Sequence, residues 1–298
     1  MHGECCVATV VIKCCTKITA YTGKSGTHLV GFTFFKKSIH FHRMSKDKLA
    51  DISTRAPKKE DKSDIKATTQ SLLKELDELQ NLLYAEKKTA VLIVLQGMDA
   101  SGKDGTIRNV FGQLNPQGVT VQAFKAPTEE ELSHDFLWRI HKHTPARGMM
   151  QIFNRSHYED VLIQRVHGWI DEKTAFQRMK AINHFEQLLT KHNNTLIFKF
   201  YLHISPEEQK ERLEERTQDP TKMWKYNAAD ITEAKLWDKY RAAYDDVIEN
   251  CNDIPWTIVP ADNNWYKEYV IAKTVRDALK ELDMKYPKIK TSNAATAI

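Results

Sequence analysis

The feature that restricts the fold most is an apolar run followed directly by a glycine-rich loop. Residues 91–95 read Val-Leu-Ile-Val-Leu, and residues 97–105 read Gly-Met-Asp-Ala-Ser-Gly-Lys-Asp-Gly. The spacing of Gly97, Gly102 and Lys103 matches the G-x-x-x-x-G-K pattern, in which loop N–H groups and the N-terminus of the next helix hold phosphate oxygens. A buried strand, this loop and a helix are one unit of a parallel α/β fold. The pattern therefore predicts both a fold class and a phosphate ligand.

Two carboxylates inside this loop are unusual for a phosphate site. Asp99 lies within the loop, and Asp104 stands where the pattern normally has the Ser or Thr that binds Mg²⁺. Because carboxylates repel phosphates unless a cation lies between them, the loop predicts Mg²⁺-dependent phosphoryl chemistry. The role of Asp104 stays open. The loop positions predicted to hold phosphates are Gly97, Ala100, Gly102, Lys103, Asp104 and Gly105.

Apolar strands alternate with helical patterns along the body of the chain. Apolar residues recur at helical spacing from Ile65 to Leu83, which predicts an amphipathic helix before the first strand. Capping boxes at Thr128–Glu131 and Ser205–Glu208 predict the starts of two later helices. We expect an α/β fold with helices on both faces of a five-stranded parallel sheet. Its strands are predicted at residues 91–95, 119–124, 149–153, 195–203 and 256–259.

Charge and cysteine content separate the N-terminal stretch from the body. Residues 1–43 contain six Lys or Arg and one acid, whereas residues 44–298 contain 38 residues of each sign. The net charge of +5 thus belongs to the N-terminal stretch, and a neutral body argues against nucleic-acid binding. Cys251 is the only cysteine of the body, which suits a reducing, cytoplasmic setting. No apolar run approaches the roughly 20 residues of a membrane-spanning helix, so no membrane partner is expected.

Polar segments follow the strands, and ligands of open parallel sheets bind beyond the carboxyl ends of the strands. Lys125 follows the second strand, where a phosphate contact and a solvated lysine are equally consistent with the sequence. Asn154, which is predicted to bind phosphate or nucleotide, stands where phosphate-loop enzymes normally place a metal-binding aspartate, and Asp160 comes six residues later. We therefore expect Mg²⁺ between Asp99 and Asp160. The alternative for Asp160 is an acid that merely stabilises a helix N-terminus.

Basic residues supply candidates for offsetting the charge of a transferred phosphoryl group. Arg155 is the first of these, and Arg165 is predicted to help hold phosphates. Residues 205–237 combine a basic helix with an Asp-Pro break, which suits a lid that closes over phosphates and excludes water. A solvated charged helix is the alternative, since glutamates are interleaved. The lid residues predicted to bind phosphates are Arg212, Arg216 and Lys222.

Five motifs, taken in order, resemble the polyphosphate kinase 2 family. The resemblance extends from about residue 65 to residue 285, and the version of the motif at residues 153–160 is similar to that of class III members, which phosphorylate both AMP and ADP. The motifs are residues 95–105 (Leu-Gln-Gly-Met-Asp-Ala-Ser-Gly-Lys-Asp-Gly), 114–119 (Leu-Asn-Pro-Gln-Gly-Val), 131–139 (Glu-Leu-Ser-His-Asp-Phe-Leu-Trp-Arg), 153–160 (Phe-Asn-Arg-Ser-His-Tyr-Glu-Asp) and 259–263 (Val-Pro-Ala-Asp-Asn).

The resemblance implies a set of expectations about fold, substrates and organisation. It implies a phosphate-loop kinase fold of the thymidylate-kinase type, Mg²⁺ dependence, a basic channel for inorganic polyphosphate, and a homodimer or homotetramer. AMP, ADP and ATP are the implied nucleotides, and guanine nucleotides stay open. The implied catalytic domain is residues 65–285, preceded by an N-terminal extension at residues 1–43 and a charged linker at residues 44–64. A tail is expected at residues 286–298.

The predicted mechanism needs positioning and charge stabilisation and no covalent step on the protein. Lys103, the loop N–H groups and Mg²⁺ would hold the transferred group, while Arg155 and the lid arginines would offset its charge. Two alternatives stay open. One is an ATP-dependent nucleoside monophosphate kinase with the same fold, and the other is a nucleotide-binding sensor without catalysis. Retention of Lys103, Asp99 and Asp160 together argues against the sensor.

Overall fold

Five parallel strands form one sheet in the described part of the protein. The computed structural model describes residues 48–288, so the extension predicted at residues 1–43 and the last ten residues of the predicted tail lie outside the described residues. The strand order is β2-β3-β1-β4-β5, and every neighbouring pair is parallel. The predicted strands are confirmed, each to within one residue. They are β1 (Ala90–Gln96), β2 (Val119–Ala123), β3 (Met150–Asn154), β4 (Thr195–His203) and β5 (Trp256–Pro260).

Ten α-helices are present in the described part of the chain. The helix that follows the phosphate loop is short and continues as a π-helix over Ile107–Phe111, a helix type that is often found at functional sites. Short 3₁₀ turns occupy Leu49–Asp51 and Met223–Lys225. The α-helices are α1 (Lys62–Glu86), α2 (Lys103–Thr106), α3 (Glu129–Leu132), α4 (Trp138–His141), α5 (Glu159–Val166), α6 (Glu172–Asn193), α7 (Pro206–Gln218), α8 (Ala228–Ala234), α9 (Trp237–Asn250) and α10 (Asn264–Glu281).

The central strand β1 determines where the site lies. All seven of its residues are buried, which requires cover on both faces of the sheet. Helices α1 and α10 pack against each other, and α5, α6 and α9 form a second packed group. After β1 the chain builds β2 and β3 on one side and then β4 and β5 on the other. The phosphate loop therefore leaves β1 at the point where the strand order reverses, the usual ligand site of such sheets.

The two predicted capping boxes have different outcomes. At α3 the prediction is confirmed, because Thr128 accepts from the N–H of Glu131 and the Glu131 carboxylate accepts from the N–H of Thr128. At α7 only half of it holds. Ser205 accepts from the N–H of Glu208 at 3.2 Å, but the Glu208 carboxylate accepts from Arg212 Nε at 2.8 Å instead of turning back to the cap. An arginine one turn later competes for that carboxylate.

A charged network lies in the core, beneath the segment that joins β3 to α5. Lys199 of β4 and Glu186 of α6 form an ion pair of 2.8 Å with both side chains fully buried. The Tyr158 hydroxyl donates to Glu186 at 2.7 Å and accepts from Lys199 at 2.9 Å, and Lys199 also donates to the carbonyl of Cys251. Burial would raise the pKa of Glu186, but the charge of Lys199 holds it below its ordinary value.

We expect Lys199→Met to lower the free energy of unfolding by about 3–5 kcal/mol, because it leaves a buried carboxylate without its counter-charge. The double variant Lys199→Met with Glu186→Leu should be markedly more stable than this single variant, because no charge is then left unpaired. Urea denaturation of the three proteins measures both effects. An equal loss in the single and double variants would contradict the assignment of the cost to the unpaired charge.

Candidate active site

The phosphate loop between β1 and α2 has a backbone that only its glycines adopt easily. Gly97 has a φ of 154°, and a Cβ at this position would lie 2.8 Å from the carbonyl oxygen of Leu202, so a larger residue would force backbone to move. Gly102 has a φ of 93° and begins α2. Ala100 adopts a left-handed φ of 61° without being a glycine, which costs on the order of 1 kcal/mol. Holding the loop in this conformation therefore costs conformational free energy.

Lys103, the lysine of the loop motif, is buried within the loop itself. Its Nζ donates to the carbonyl of Gly97 at 2.8 Å and to that of Met98 at 3.2 Å. Burial, followed by repulsion from Arg155, lowers the pKa of Lys103 to about 8. The side chain therefore stays largely protonated at neutral pH and holds its charge at the centre of the loop.

A narrow cleft opens beside the loop. Helices from the predicted lid form its far side together with α9, so the loop faces a wall of acidic, amide and aromatic side chains. Trp237, Tyr240 and Tyr244 lie at helical spacing on α9, and the sequence analysis did not single them out. The residues that line the cleft are Gly97, Met98, Asp99, Arg155, Glu159, Gln209, Glu233, Ala234, Trp237, Tyr240 and Tyr244.

Arg155 connects the loop to α5 across the cleft. Its Nη2 lies 2.5 Å from the Asp99 carboxylate, and its Nη1 lies 3.3 Å from Glu159. Glu159, with Asp99 as a further contributor, raises the pKa of Arg155 above its ordinary value, so the guanidinium stays charged. Arg155 has a left-handed φ of 61° directly after β3, and this turn directs the side chain back over the loop. The structure thus brings together Asp99, Lys103 and Arg155 of the predicted set.

Asp160 is not among the residues that line this cleft. Its carboxylate accepts from Arg139 Nη2 at 3.1 Å, both side chains are buried, and Arg139 also donates to the carbonyl of Lys125. Burial raises the pKa of Asp160, and the charge of Arg139 opposes that shift. Glu159, one residue earlier, faces the cleft because successive residues of a helix differ in direction by about 100°. The sequence analysis missed Glu159, although two adjacent acids were visible there.

The predicted Mg²⁺ ligands are therefore in different surroundings. Asp99 faces the cleft, whereas Asp160 is held by Arg139. Within residues 48–288, no group of three His, Cys, Asp or Glu side chains is arranged to hold a metal ion. The pairing of Asp99 with Asp160 around Mg²⁺ stays a prediction.

Asp104 has partners that the sequence did not reveal. It accepts from Asn154 Nδ2 at 2.8 Å and from Lys225 Nζ at 3.4 Å. Burial would raise its pKa, but the hydrogen bond from Asn154 and the charge of Lys225 hold the pKa below the ordinary value. Asp104 thus joins the start of α2 to the end of β3 and to the 3₁₀ turn of the predicted lid.

Most of the basic residues predicted to bind phosphates are engaged within the protein. Arg212 donates to the carbonyls of Ala100, Ala261 and Asp262, and so it ties α7 to the back of the loop. Arg216 pairs with Asp230 at 2.6 Å. Three further residues complete the predicted set: Lys222 pairs with Glu215 and Asp219, Arg165 pairs with Glu172 and Asp246, and Lys125 is exposed.

Comparison with known proteins gives concordant matches. The sequence model of the polyphosphate kinase 2 family matches residues 59–287. An AMP/ADP-polyphosphate phosphotransferase of Meiothermus ruber is 44% identical over 229 residues, which cover 76% of this chain and 85% of that protein. An ADP-polyphosphate phosphotransferase of Rhodopseudomonas palustris is 42% identical over 71% of this chain and 78% of its own length. The crystal structure of polyphosphate kinase 2 from Arthrobacter aurescens TC1 superposes with a TM-score of 0.80 at 44% identity, covering 85% of this chain and 92% of that one.

Proposed function

Because the chain belongs to the polyphosphate kinase 2 family, we propose that it transfers the terminal phosphoryl group of inorganic polyphosphate to AMP and to ADP. It is a polyphosphate:nucleotide phosphotransferase, a kinase, and we propose that the reaction is reversible. The observation that carries the proposal is the cleft beside the phosphate loop, which Asp99 and Arg155 line while Lys103 holds its charge inside the loop itself. Two cations and a loop of N–H groups suit the exchange of a phosphoryl group between two polyanions.

The reaction needs no nucleophile from the protein. A phosphate oxygen of the nucleotide, ionised at neutral pH, attacks the terminal phosphorus of polyphosphate. The phosphoanhydride bond to the rest of the chain then breaks, and its electron pair leaves with the shortened polyphosphate. Lys103 and Arg155 offset the charge that spreads over the transferred group. No strong general base is required, which agrees with the absence of a His–Asp pair among the residues that line the cleft.

Mg²⁺ is the proposed cofactor, and the chemistry of the cleft fits it. Asp99 and Glu159 line the cleft beside the phosphate loop. Their carboxylate oxygens are the ligands that Mg²⁺ prefers. Asp99 would hold the ion, and Asp160 is the predicted second ligand once its contact with Arg139 is released. When bound, Mg²⁺ would neutralise part of the charge of the phosphates. Without a cation, the two carboxylates would repel the substrates.

The organisation of the chain is part of the same proposal. Residues 65–285 would be the catalytic domain, with residues 205–237 as its lid and residues 44–64 as a linker, although α1 already begins at Lys62. A homodimer or homotetramer and a cytoplasmic location are proposed as well; the buried thiol of Cys251 is free. No helix within residues 48–288 is long and apolar enough to cross a membrane. Guanine nucleotides are proposed as further acceptors.

A product assay tests the function. Purified protein with Mg²⁺, long-chain polyphosphate and AMP should form ADP first and ATP later, and chromatography should show no other nucleotide. Adding ADP in place of AMP should give ATP without a lag. A protein that forms ADP from AMP but never ATP would contradict the second transfer, and the absence of any product would contradict both.

A further inference from the structure

Lys267 lies behind the phosphate loop, on the first turn of α10. Only 1% of the residue is exposed. Its Nζ donates to Asn264 Oδ1 at 2.7 Å and to the carbonyl of Gly102 at 3.3 Å. A Cβ at Gly102 would lie 2.3 Å from this Nζ, so the ammonium is in direct contact with the backbone of the loop. The sequence analysis gave Lys267 no role.

The position is unfavourable for a cation. Burial, followed by repulsion from Arg212, lowers the pKa of Lys267 to about 7, and Lys103 adds to the repulsion. The N-terminus of a helix also disfavours positive charge. The charges of Glu268 and Glu208 oppose this shift, but within residues 48–288 neither carboxylate forms an ion pair with Lys267. An apolar side chain of the same length would fill the space at lower cost, so packing does not explain the ammonium.

The hydrogen bond to Gly102 has a consequence for the opposite side of the loop. In a trans peptide unit the C=O and the N–H point in opposite directions. The carbonyl of Gly102 accepts from the N–H of Thr106, from its hydroxyl and from Lys267. These bonds direct the N–H of Lys103, which belongs to the same peptide unit, away from α10 and out of the helix N-terminus. That is the direction from which a phosphate approaches such a helix.

We propose that Lys267 is a positioning residue of the phosphate site, which fixes the Gly102–Lys103 peptide and places a positive charge behind the loop. The charge costs stability when no anion is bound and is compensated when phosphates occupy the loop. The inference rests on the proposed function only in naming polyphosphate as the anion. It assigns Lys267 no contact with the reacting atoms.

Lys267→Met removes the charge and the hydrogen bonds at nearly constant length, and Lys273→Met is the matched control. Lys273 lies on the same helix, partly exposed and paired with Asp277. We expect Lys267→Met to lower kcat for polyphosphate-dependent AMP phosphorylation at least about tenfold, less than the hundredfold or more of a direct donor. The KM for AMP should change little, the Tm should stay equal or rise because an unfavourable buried charge is removed, and the control should match the wild type. An unchanged kcat, or a loss accounted for by unfolded protein, would overturn the proposal.

Binding of inorganic tripolyphosphate, measured by calorimetry, provides a second readout that needs no turnover. The Kd should rise at least about fivefold in Lys267→Met and stay constant in Lys273→Met, as expected for a lost buried charge contact. If wild type binds tripolyphosphate but transfers nothing to AMP, the proposed function fails while this comparison still decides the role of Lys267. Should Lys267→Met not fold, Lys267→Gln removes the charge and keeps a polar side chain; an unchanged Kd in that variant would overturn the proposal, and a raised Kd would support it.

Discussion

Replacing Lys103 by methionine is expected to lower kcat for polyphosphate-dependent AMP phosphorylation by about a thousandfold, the upper part of the range for a pre-organised charge at the transferred group. The reason is geometric, because the Nζ of Lys103 lies against the carbonyls of Gly97 and Met98 at the centre of the loop. Burial and repulsion from Arg155 already disfavour this charge, and its pKa falls to about 8. Removing the lysine should therefore leave the Tm equal or higher.

Steady-state kinetics and thermal unfolding of the same preparation separate these effects. Lys88→Met is a suitable control, because Lys88 is an exposed lysine whose partner is Glu86. The control should keep both kcat and Tm. A Lys103→Met protein with a normal Tm and more than about a tenth of the wild-type kcat would show that the loop lysine is not part of the transfer step.

Asp99→Asn is expected to lower kcat by about a hundredfold or more and to raise the Mg²⁺ concentration needed for half-maximal rate, because a carboxylate facing the phosphates is replaced by a weaker ligand. The pair of Asp99 with Arg155 is partly exposed, so its loss should cost at most about 1 kcal/mol of stability. Titration of initial rates with Mg²⁺ measures the effect. Asp283→Asn, at an exposed carboxylate, is the control. An unchanged Mg²⁺ requirement in Asp99→Asn would exclude Asp99 as a ligand.

The same titration decides the role of Asp160. If Asp160 is the second Mg²⁺ ligand, as predicted from the sequence, Asp160→Asn should raise the Mg²⁺ concentration needed for half-maximal rate, as Asp99→Asn does. If the carboxylate serves only Arg139, the Mg²⁺ dependence will stay normal. The free energy of unfolding will then fall, because Glu131 at 3.7 Å is the only carboxylate within residues 48–288 left to pair with the buried Arg139.

The fold could be predicted because the sequence signals for its strands and helix starts depend on neighbouring residues. Five apolar runs became the five strands, and the sheet order placed the loop after β1 at the reversal of strand order. The capping box at Thr128 also depends on neighbours within three residues. The box at Ser205 was half wrong because Arg212, outside that window, takes the Glu208 carboxylate. A partner one turn further along the same helix decides such cases.

The site was predictable only in part. The loop spacing identifies Lys103 and Asp99, and Arg155 follows directly after β3. By contrast, the choice between Glu159 and Asp160 depends on the angle at which α5 begins, which no spacing reveals. The ties of Arg212 to the loop, and of Lys267 to Gly102, depend on how α7 and α10 pack on the sheet. A sequence pattern shows residue types and their periodicity, but it does not show these contacts between separate elements.

The central claim about this protein is that polyphosphate, and not ATP, is its phosphoryl donor. The most direct measurement compares initial rates of ADP formation from AMP, with Mg²⁺ and equal concentrations of transferable phosphate supplied as polyphosphate or as ATP. We predict that the polyphosphate reaction is the faster one and that it depends on Lys103. A robust reaction with ATP and none with polyphosphate would contradict the account and would make the chain an ATP-dependent nucleoside monophosphate kinase.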